Sequence, residues 1–376
     1  MRKIDFEIDG KLFNVNSDFE SVETFKIKSS PKPYQVSWAE DSEHQKIKKI
    51  MSKNPNNILF VDEKVYKLHL KDLGINENQI YKIKATEENK DIKSVLKFIE
   101  FLETKNFTKA ETLVVVGGGI PQDIGAFVGA VYKRGINWVL FPTTLLSMSD
   151  SCIGGKTGIN HSKSKNQLAL FSAPKEVIIN PAFIKTLEES EISSGLGEIL
   201  KLLITGDMLG LYPEYVTAGK VNSFESYKPL ILGSLNVKKE VIEEDEFEKL
   251  YRKSLNYGHT LGHAIEVLSN YKIPHGQAVV IGMLIVNEIS RRRGMLTEDE
   301  TSKIKQYAKD IVDLKLVSKI KTSGMADLLR KDKKTMGSQL TLVVMESVGN
   351  TKFLKMELGD KILTEIDDIL KKGFAS

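Results

Sequence analysis

TLVVVGGGIPQDIGAFVGAVY, residues 112–132, is the stretch on which the fold turns. Its first five residues form a continuous apolar run, as in a strand buried on both faces of a sheet. The run stops at Gly117-Gly118-Gly119, and small residues recur over 124–132, a predicted helix that must pack closely. Glycines at such a turn let a backbone approach a pyrophosphate, and the following helix start offers its free N–H groups. The pattern departs from the standard dinucleotide fingerprint, which needs glycine where Gln122 stands. Taken alone, it is balanced between a nucleotide site and a plain tight turn.

Working outward, NILFV at 57–61, NWVLF at 137–141 and EVII at 176–179 are further strands. Residues 90–104 form an amphipathic helix with Ile92, Val95, Leu96, Phe98 and Ile99 on its apolar side. Strands alternating with helices predict a parallel sheet covered on both faces. After residue 187 helical periodicity takes over, through 191–203, 227–244, 260–268, 278–293 and 302–314, with one strand at 340–345. The fold class expected is α/β: a Rossmann-like domain over 1–187 joined to a mainly helical domain over 188–376. A cleft between two such domains is the default place for a ligand.

The 376-residue length suits two domains. A net charge of +4, from 54 basic and 50 acidic residues spread along the chain, lacks the clustered basic face of nucleic-acid binders. It is compatible with a few cations gathered around a small anionic substrate. Residues 1–9 are polar, with no apolar core of a signal peptide, and no run reaches the ~18 apolar residues of a membrane span. The single cysteine, Cys152, excludes an internal disulfide and agrees with a reducing cytoplasm.

Three more segments carry chemistry. DSCIGGKTGINHSKSKN, 150–166, contains GGKT, but the P-loop needs a glycine where Asp150 stands. What is left is a polar loop bringing Asp150, Lys156, Asn160, Lys165 and Asn166 together after a buried strand, at the end where open α/β sheets bind ligands. In GLGEILK, Glu198 and Lys201 share one helical face, and for a lone pair of this kind a surface ion pair is the plainer explanation. LNYGHTLGHAIE followed by YKIPHG places three of the 6 histidines, His259, His263 and His275, within a short span. A carboxylate with imidazoles suits Zn²⁺ with one coordination position open.

With these segments in view, the chain resembles the 3-dehydroquinate synthase family of sugar-phosphate cyclases, from about residue 57 to 349. GGGxxxD, PTTLLxxxDSxxGGKTxxN, GLxEIxK, LNxGHTxGHAIE, HGxAVxxGM and DKK occur in the family's order and nearly its spacing. The resemblance implies a zinc site, with cobalt as the alternative metal, at Glu198, His259 and His275. It implies NAD contacts at Asp62, Glu87, Lys90, Gly118, Gly119, Asp123, Thr143, Thr144, Lys156 and Lys165, and along the stretch from Phe183 to Thr186. Substrate contacts carry over to Asp150, Lys156, Asn166, Lys201, Lys238, Arg252, Asn256, His263 and Lys333 of the Lys333-Lys334 pair. Arg134 would reach a neighbouring subunit's site, which implies a homodimer. The chain departs from the family pattern at Pro121-Gln122, at Gln167–Ala169 and at Leu202.

The activity implied converts 3-deoxy-D-arabino-heptulosonate 7-phosphate into 3-dehydroquinate and phosphate, by oxidation, elimination, reduction and aldol closure, with NAD regenerated each turnover. A cyclase of sedoheptulose 7-phosphate is the nearest alternative, and Lys238 with Arg252, the family's grip on a carboxylate, speaks against it. A polyol dehydrogenase of the glycerol dehydrogenase kind would lack the phosphate set Lys156, Lys201, Asn256 and His263. A degenerate, non-catalytic cyclase would not need an intact ligand set.

Overall fold

The computed structural model describes residues 3–17, 22–40, 44–162, 164–313, 324–331 and 339–372. The chain divides into two compact units, one of Ser21–Glu188 and one of Met1–Glu20 with Glu189–Ser376. The expected first domain, 1–187, therefore needs correcting at its start. Strands Lys3–Ile8 and Lys11–Asn16 belong to a four-stranded sheet with Gln339–Ser347 and Asn350–Glu357. Phe6, Ile8, Phe13 and Val15 alternate with more exposed residues and bury one face. A strand pair with one apolar face needs a second layer, and here Lys3–Ile8 runs parallel to Asn350–Glu357, far along the chain.

The Ser21–Glu188 unit is built on a seven-stranded sheet. Its order is Thr24–Ile27, Tyr34–Trp38, Glu176–Ile179, Asn137–Pro142, Thr112–Gly117, Ile58–Asp62 and Ile80–Ile83. All neighbours are parallel except the edge strand Thr24–Ile27. Five successive parallel strands, from Ile58–Asp62 to Glu176–Ile179, thus lie in the order 2-1-3-4-5. In such sheets the winding direction reverses between the first and third strands, and ligands bind outside their carboxyl ends. Those two ends carry Asp62 and Gly117-Gly118-Gly119.

The helix predicted for 124–132 begins earlier, as Gly119–Val131, directly off the glycines. It lies close on the sheet because it has no side chain where it crosses the strands: a Cβ on Gly125 would stand 2.5 Å from Val115 and one on Gly129 2.7 Å from Trp138. The Ile92–Thr104 helix is capped by Asp91 and buries Val95, Phe98 and Leu102. Leu96, expected on that apolar side, is 52% exposed, since a stripe through 95, 98 and 102 turns position 96 outward. The segment read as a loop at 150–166 is instead a turn, Ser147–Ser151, followed by an antiparallel hairpin, Lys156–His161 with Ser164–Phe171.

The other unit contains the long helices Glu189–Thr205, Tyr227–Glu244, His259–Leu268, His275–Arg292 and Glu298–Lys309 beside its sheet. Among the described residues no helix is long and apolar enough to cross a membrane.

Candidate active site

The helices Glu189–Thr205 and His275–Arg292 meet backbone to backbone. A Cβ on Gly276 would lie 1.8 Å from the Ser194 carbonyl oxygen, and one on Gly197 would lie 2.4 Å from the Gly276 carbonyl oxygen. Where His259–Leu268 crosses, a Cβ on Gly282 would lie 2.0 Å from the Gly258 carbonyl oxygen. The serines before Gly197 also serve the incoming helix start: Ser194 accepts the Gly276 N–H at 3.0 Å, and Ser193 accepts from Gln277 at 2.7 Å. Gly197 and Gly276 adjoin Glu198 and His275 in sequence. The glycines of GLGEILK and PHG thus bring the side chains of Glu198 and His275 to one place.

Glu198 is 2% exposed and divides its two oxygens. Oε2 accepts from the equally buried Lys201 ammonium at 2.5 Å, so the pair is internal and not the surface pair of the plainer reading. Oε1 faces Nε2 of His259 at 3.6 Å and Nε2 of His275 at 3.5 Å. On the far side of each ring, Nδ1 of His259 lies 3.2 Å from the Tyr257 carbonyl and Nδ1 of His275 lies 3.0 Å from Glu266 Oε2. Both of those partners accept, so each Nδ1 carries the proton and each Nε2 turns a lone pair toward Oε1. Three electron-pair donors then converge on one point.

Such a set fits a divalent cation. Ligands about 2.0–2.1 Å from a tetrahedral zinc stand roughly 3.4 Å from one another, close to the two spacings observed. The carboxylate and carbonyl behind the imidazoles are the outer partners that fix the ring tautomers of metal-binding histidines. Burial alone would depress His275, but the Glu266 bond and the Glu198 charge outweigh it and hold the imidazole above its ordinary value. His263 completes a group of three histidines whose ring nitrogens lie within 4.8 Å of one another. Its ring is exposed, whereas Glu198 is buried and spaced as a ligand, so the Glu198, His259, His275 set is the better cage.

Glu266 was not among the residues singled out from sequence. Its spacing could have found it: His259, His263 and Glu266 stand at i, i+4 and i+7 on one helix.

The remaining expected residues of this unit take varied places. Lys238 is buried on the Tyr227–Glu244 helix. Arg252 is 2% exposed. It sits in the turn Tyr251–Asn256, its N–H donates to Asp245 Oδ2 at 3.0 Å, and its guanidinium donates to the Glu246 carbonyl. Glu248 accepts from Asn256 at 2.6 Å. Lys333 lies outside the described residues.

In the Ser21–Glu188 unit, the hairpin gathers part of the expected cofactor set. Lys90 pairs with Asp123 at 2.5 Å and donates to Asn166 Oδ1 at 2.8 Å. Asn160 binds Glu87 Oε1 at 2.7 Å and accepts the Asn166 N–H at 2.9 Å. Gly118 caps the Gly119–Val131 helix with no side chain of its own, and a Cβ there would meet Thr144 at 2.9 Å. A Cβ on Gly119 would meet nothing within 4 Å, which leaves open space at the helix start. Thr143 is buried beside Gly117, its N–H bonded to that carbonyl.

The departure at Pro121-Gln122 does not disturb this turn. Pro121 occupies the first helical turn, where an N–H has no partner to lose. Gln122 exchanges hydrogen bonds with Ser151, at 2.7 Å to its carbonyl and 3.0 Å from its hydroxyl, tying the helix to the turn that carries Asp150. Asp62 caps the turn after its strand, while Lys156 and Lys165 stand exposed on the hairpin. Arg134 is exposed beside Gly135, and Lys133, Arg134 and Gly135 all have positive φ.

A doubly wound α/β unit with a glycine turn at its reversal point, and a helical unit with a carboxylate–imidazole cage, define a class of enzymes that use a dinucleotide and a metal. Models of the 3-dehydroquinate synthase N-terminal and C-terminal regions match residues 80–194 and 195–335. The 3-dehydroquinate synthase of Campylobacter concisus is 36% identical over 299 residues, spanning 78% of this chain and 85% of that protein. That of Streptococcus mutans is 34% identical over 298 residues, 79% of this chain and 83% of that protein. A 2-deoxy-scyllo-inosose synthase crystallised with carbaglucose-6-phosphate, NAD⁺ and Co²⁺ superimposes with a TM-score of 0.81, at 21% identity over 93% of this chain and 99% of its own, a likeness of fold. This chain belongs to the 3-dehydroquinate synthase family.

Proposed function

We propose that the protein is an NAD- and metal-dependent cyclase that converts 3-deoxy-D-arabino-heptulosonate 7-phosphate into 3-dehydroquinate and phosphate. The observation that carries this reading is the convergence of Glu198 Oε1 with the Nε2 atoms of His259 and His275, each ring oriented from behind. When bound, the metal polarises a ring hydroxyl and the dinucleotide takes and returns a hydride. Glu198, His259 and His275 hold the metal, while Lys201 balances the second oxygen of Glu198 and keeps the first turned to the cage.

Gly118, Gly119 and the free N–H groups of the following helix receive the pyrophosphate, with Asp62 at the neighbouring strand end. Asp123, Thr143, Thr144 and Lys165 complete the cofactor's surroundings in this reading, and Glu87 and Lys90 are held by Asn160 and Asn166 of the hairpin. Lys156, Asn256 and His263 take the substrate phosphate. Lys238 and Arg252 take the carboxylate, for which a forked guanidinium is suited. The buried setting of Arg252 supports that role, because a charge-assisted contact is strongest where water is excluded.

The test is direct. Purified, metal-loaded protein with NAD⁺ is offered the keto-acid phosphate and sedoheptulose 7-phosphate separately, and phosphate release and NADH are followed. Phosphate from the first alone, with no net NADH, is the expected result. Release from sedoheptulose 7-phosphate alone would assign the other cyclase activity, and accumulating NADH a dehydrogenase.

We also propose a cytoplasmic homodimer in which Arg134, exposed on its turn, serves the neighbouring subunit. Mixing Arg134→Ala with His275→Ala protein should restore part of the activity through mixed dimers. No recovery after subunit exchange would place Arg134 in its own subunit's chemistry or outside it.

A further inference from the structure

Three of the 6 histidines, His44, His69 and His161, belong to the other unit, and two of them, His44 and His69, form a chain with defined proton positions. Asn180 Oδ1 accepts the Ala182 N–H at 3.0 Å, so the atom it turns to His44 Nδ1, at 3.2 Å, is the donating Nδ2. His44 Nδ1 is then an acceptor and the proton sits on Nε2, which faces His69 Nδ1 at 3.1 Å. His69 Nδ1 must accept in turn, and its own Nε2–H donates to Thr186 Oγ1 at 2.7 Å. Every link is satisfied by one arrangement with both rings neutral. An added proton on either Nδ1 would set donor against donor. Burial pushes His69 below the ordinary histidine range, in keeping with a neutral ring.

The chain starts in the interior, where Asn180 and His44 are buried, and ends at the exposed Thr186. Its two ends bracket a single short element, the turn Pro181–Thr186. Phe183 in the middle of that turn stacks on His44, centroids 4.2 Å apart, and meets His69 edge-on at 5.0 Å. The turn is thus held at its start, its middle and its end by the same two imidazoles. Because His69 fills an acceptor site on the Thr186 oxygen, the hydroxyl proton of Thr186 is directed elsewhere, to the Phe183 carbonyl at 3.3 Å or to a ligand.

We propose that Asn180, His44 and His69 form a positioning relay for the dinucleotide, fixing the Pro181–Thr186 turn and presenting the Thr186 hydroxyl to the cofactor as a hydrogen-bond donor. The inference rests on the reading that the Phe183–Thr186 stretch touches NAD, and it adds residues to that site which the family resemblance did not.

Calorimetric titration of NAD⁺ into the metal-loaded full chain tests it, using the parent, His69→Leu, His69→Gln, Thr186→Val and the His69→Leu/Thr186→Val double variant. Loss of one neutral hydrogen bond is worth roughly three- to tenfold in affinity, and His69→Leu and Thr186→Val should each weaken NAD⁺ binding by about that factor. The double variant should bind no worse than the weaker single one, because both break the same chain. His69→Gln, which keeps one acceptor and one donor, should stay within about twofold of the parent on the same hydrogen-bond scale.

Parent-like binding by Thr186→Val, or losses that multiply in the double variant, would overturn the relay while leaving the cofactor reading intact. Thr186 is exposed and its valine variant should fold, so it decides the matter even if His69→Leu does not. Failure of the parent itself to bind millimolar NAD⁺ would overturn the cofactor reading and the relay with it.

Discussion

Glu198 shows how much one buried carboxylate can organise. Removed from water, it needs partners for both oxygens, and Lys201 satisfies one while the other is turned to the two imidazoles. The imidazoles are oriented from behind by Tyr257 and Glu266, so the cage depends on residues that would not touch the metal. Changes to such outer partners commonly cost ten- to a hundredfold in metal affinity. Glu266→Gln keeps the size and an acceptor but loses the charge, and should weaken Zn²⁺ binding by about tenfold, near the lower end of that range. Competition against a chromophoric chelator measures this, and an unchanged affinity would remove Glu266 from the cage's support. Arg252 invites a second substitution. Arg252→Ala should lower kcat/KM for the keto-acid phosphate by roughly ten- to a hundredfold, the worth of a charge-assisted contact. Arg252→Lys keeps the charge without the fork and should fall in between. Because Arg252 also holds the Glu246 carbonyl, melting curves of both variants separate a loosened turn from a lost substrate contact. Parent-like turnover by Arg252→Ala would end the carboxylate role.

Among the elements, the contact between Glu189–Thr205 and His275–Arg292 sets the spacing of the cage. A methyl group on Gly276 would lie 1.8 Å from a backbone oxygen that cannot rotate away. Gly276→Ala should therefore push the helices apart, at a cost of about 1–3 kcal/mol for overpacking, and should reduce metal content as Glu198 and His275 separate. Gly359→Ala, where an added Cβ meets nothing within 4 Å, is the control. Thermal melting and elemental analysis report the two effects, and a Gly276→Ala protein that melts and loads like the parent would disprove the spacing argument. The strands at 58–62, 112–117, 137–142 and 176–179 announced themselves as continuous apolar runs, because both faces of their sheet are covered. The histidine cluster was legible because three of the 6 histidines fall at 259, 263 and 275, whereas Glu198 joined the expected metal set only through the family resemblance. The hairpin Lys156–Phe171 was not, since most of its outward residues are polar and exposed and no alternation marks it as a strand pair. Nor was the His44–His69 chain, whose members stand 25 residues apart and meet only through the fold.

On the scale of the whole molecule, chain order and structural membership part company at the first twenty residues. Lys3–Ile8 is an inner strand of its sheet, flanked by Lys11–Asn16 on one side and by Asn350–Glu357 on the other. Local sequence cannot reveal a parallel partner more than three hundred residues away, and the loop closure it requires is favoured only by the burial that follows. Four apolar side chains, Phe6, Ile8, Phe13 and Val15, are buried by the two strands. At ~1.5–3 kcal/mol for each fully buried side chain, their removal costs on the order of 6–12 kcal/mol, an upper range that rivals the whole stability of an ordinary domain. Deleting Met1–Glu20 should accordingly damage the unit that contains Glu198, His259 and His275, although those residues lie far along the chain. The expected outcome is a truncated protein with a lower melting transition and metal bound at well under one ion per chain. Its titration with NAD⁺ should remain measurable, because the sheet carrying Asp62, Gly118 and Gly119 keeps all seven of its strands. Elemental analysis and NAD⁺ calorimetry on one preparation provide both readouts. Loss of NAD⁺ binding with metal content intact would reverse the assignment and return the first strand pair to the cofactor unit.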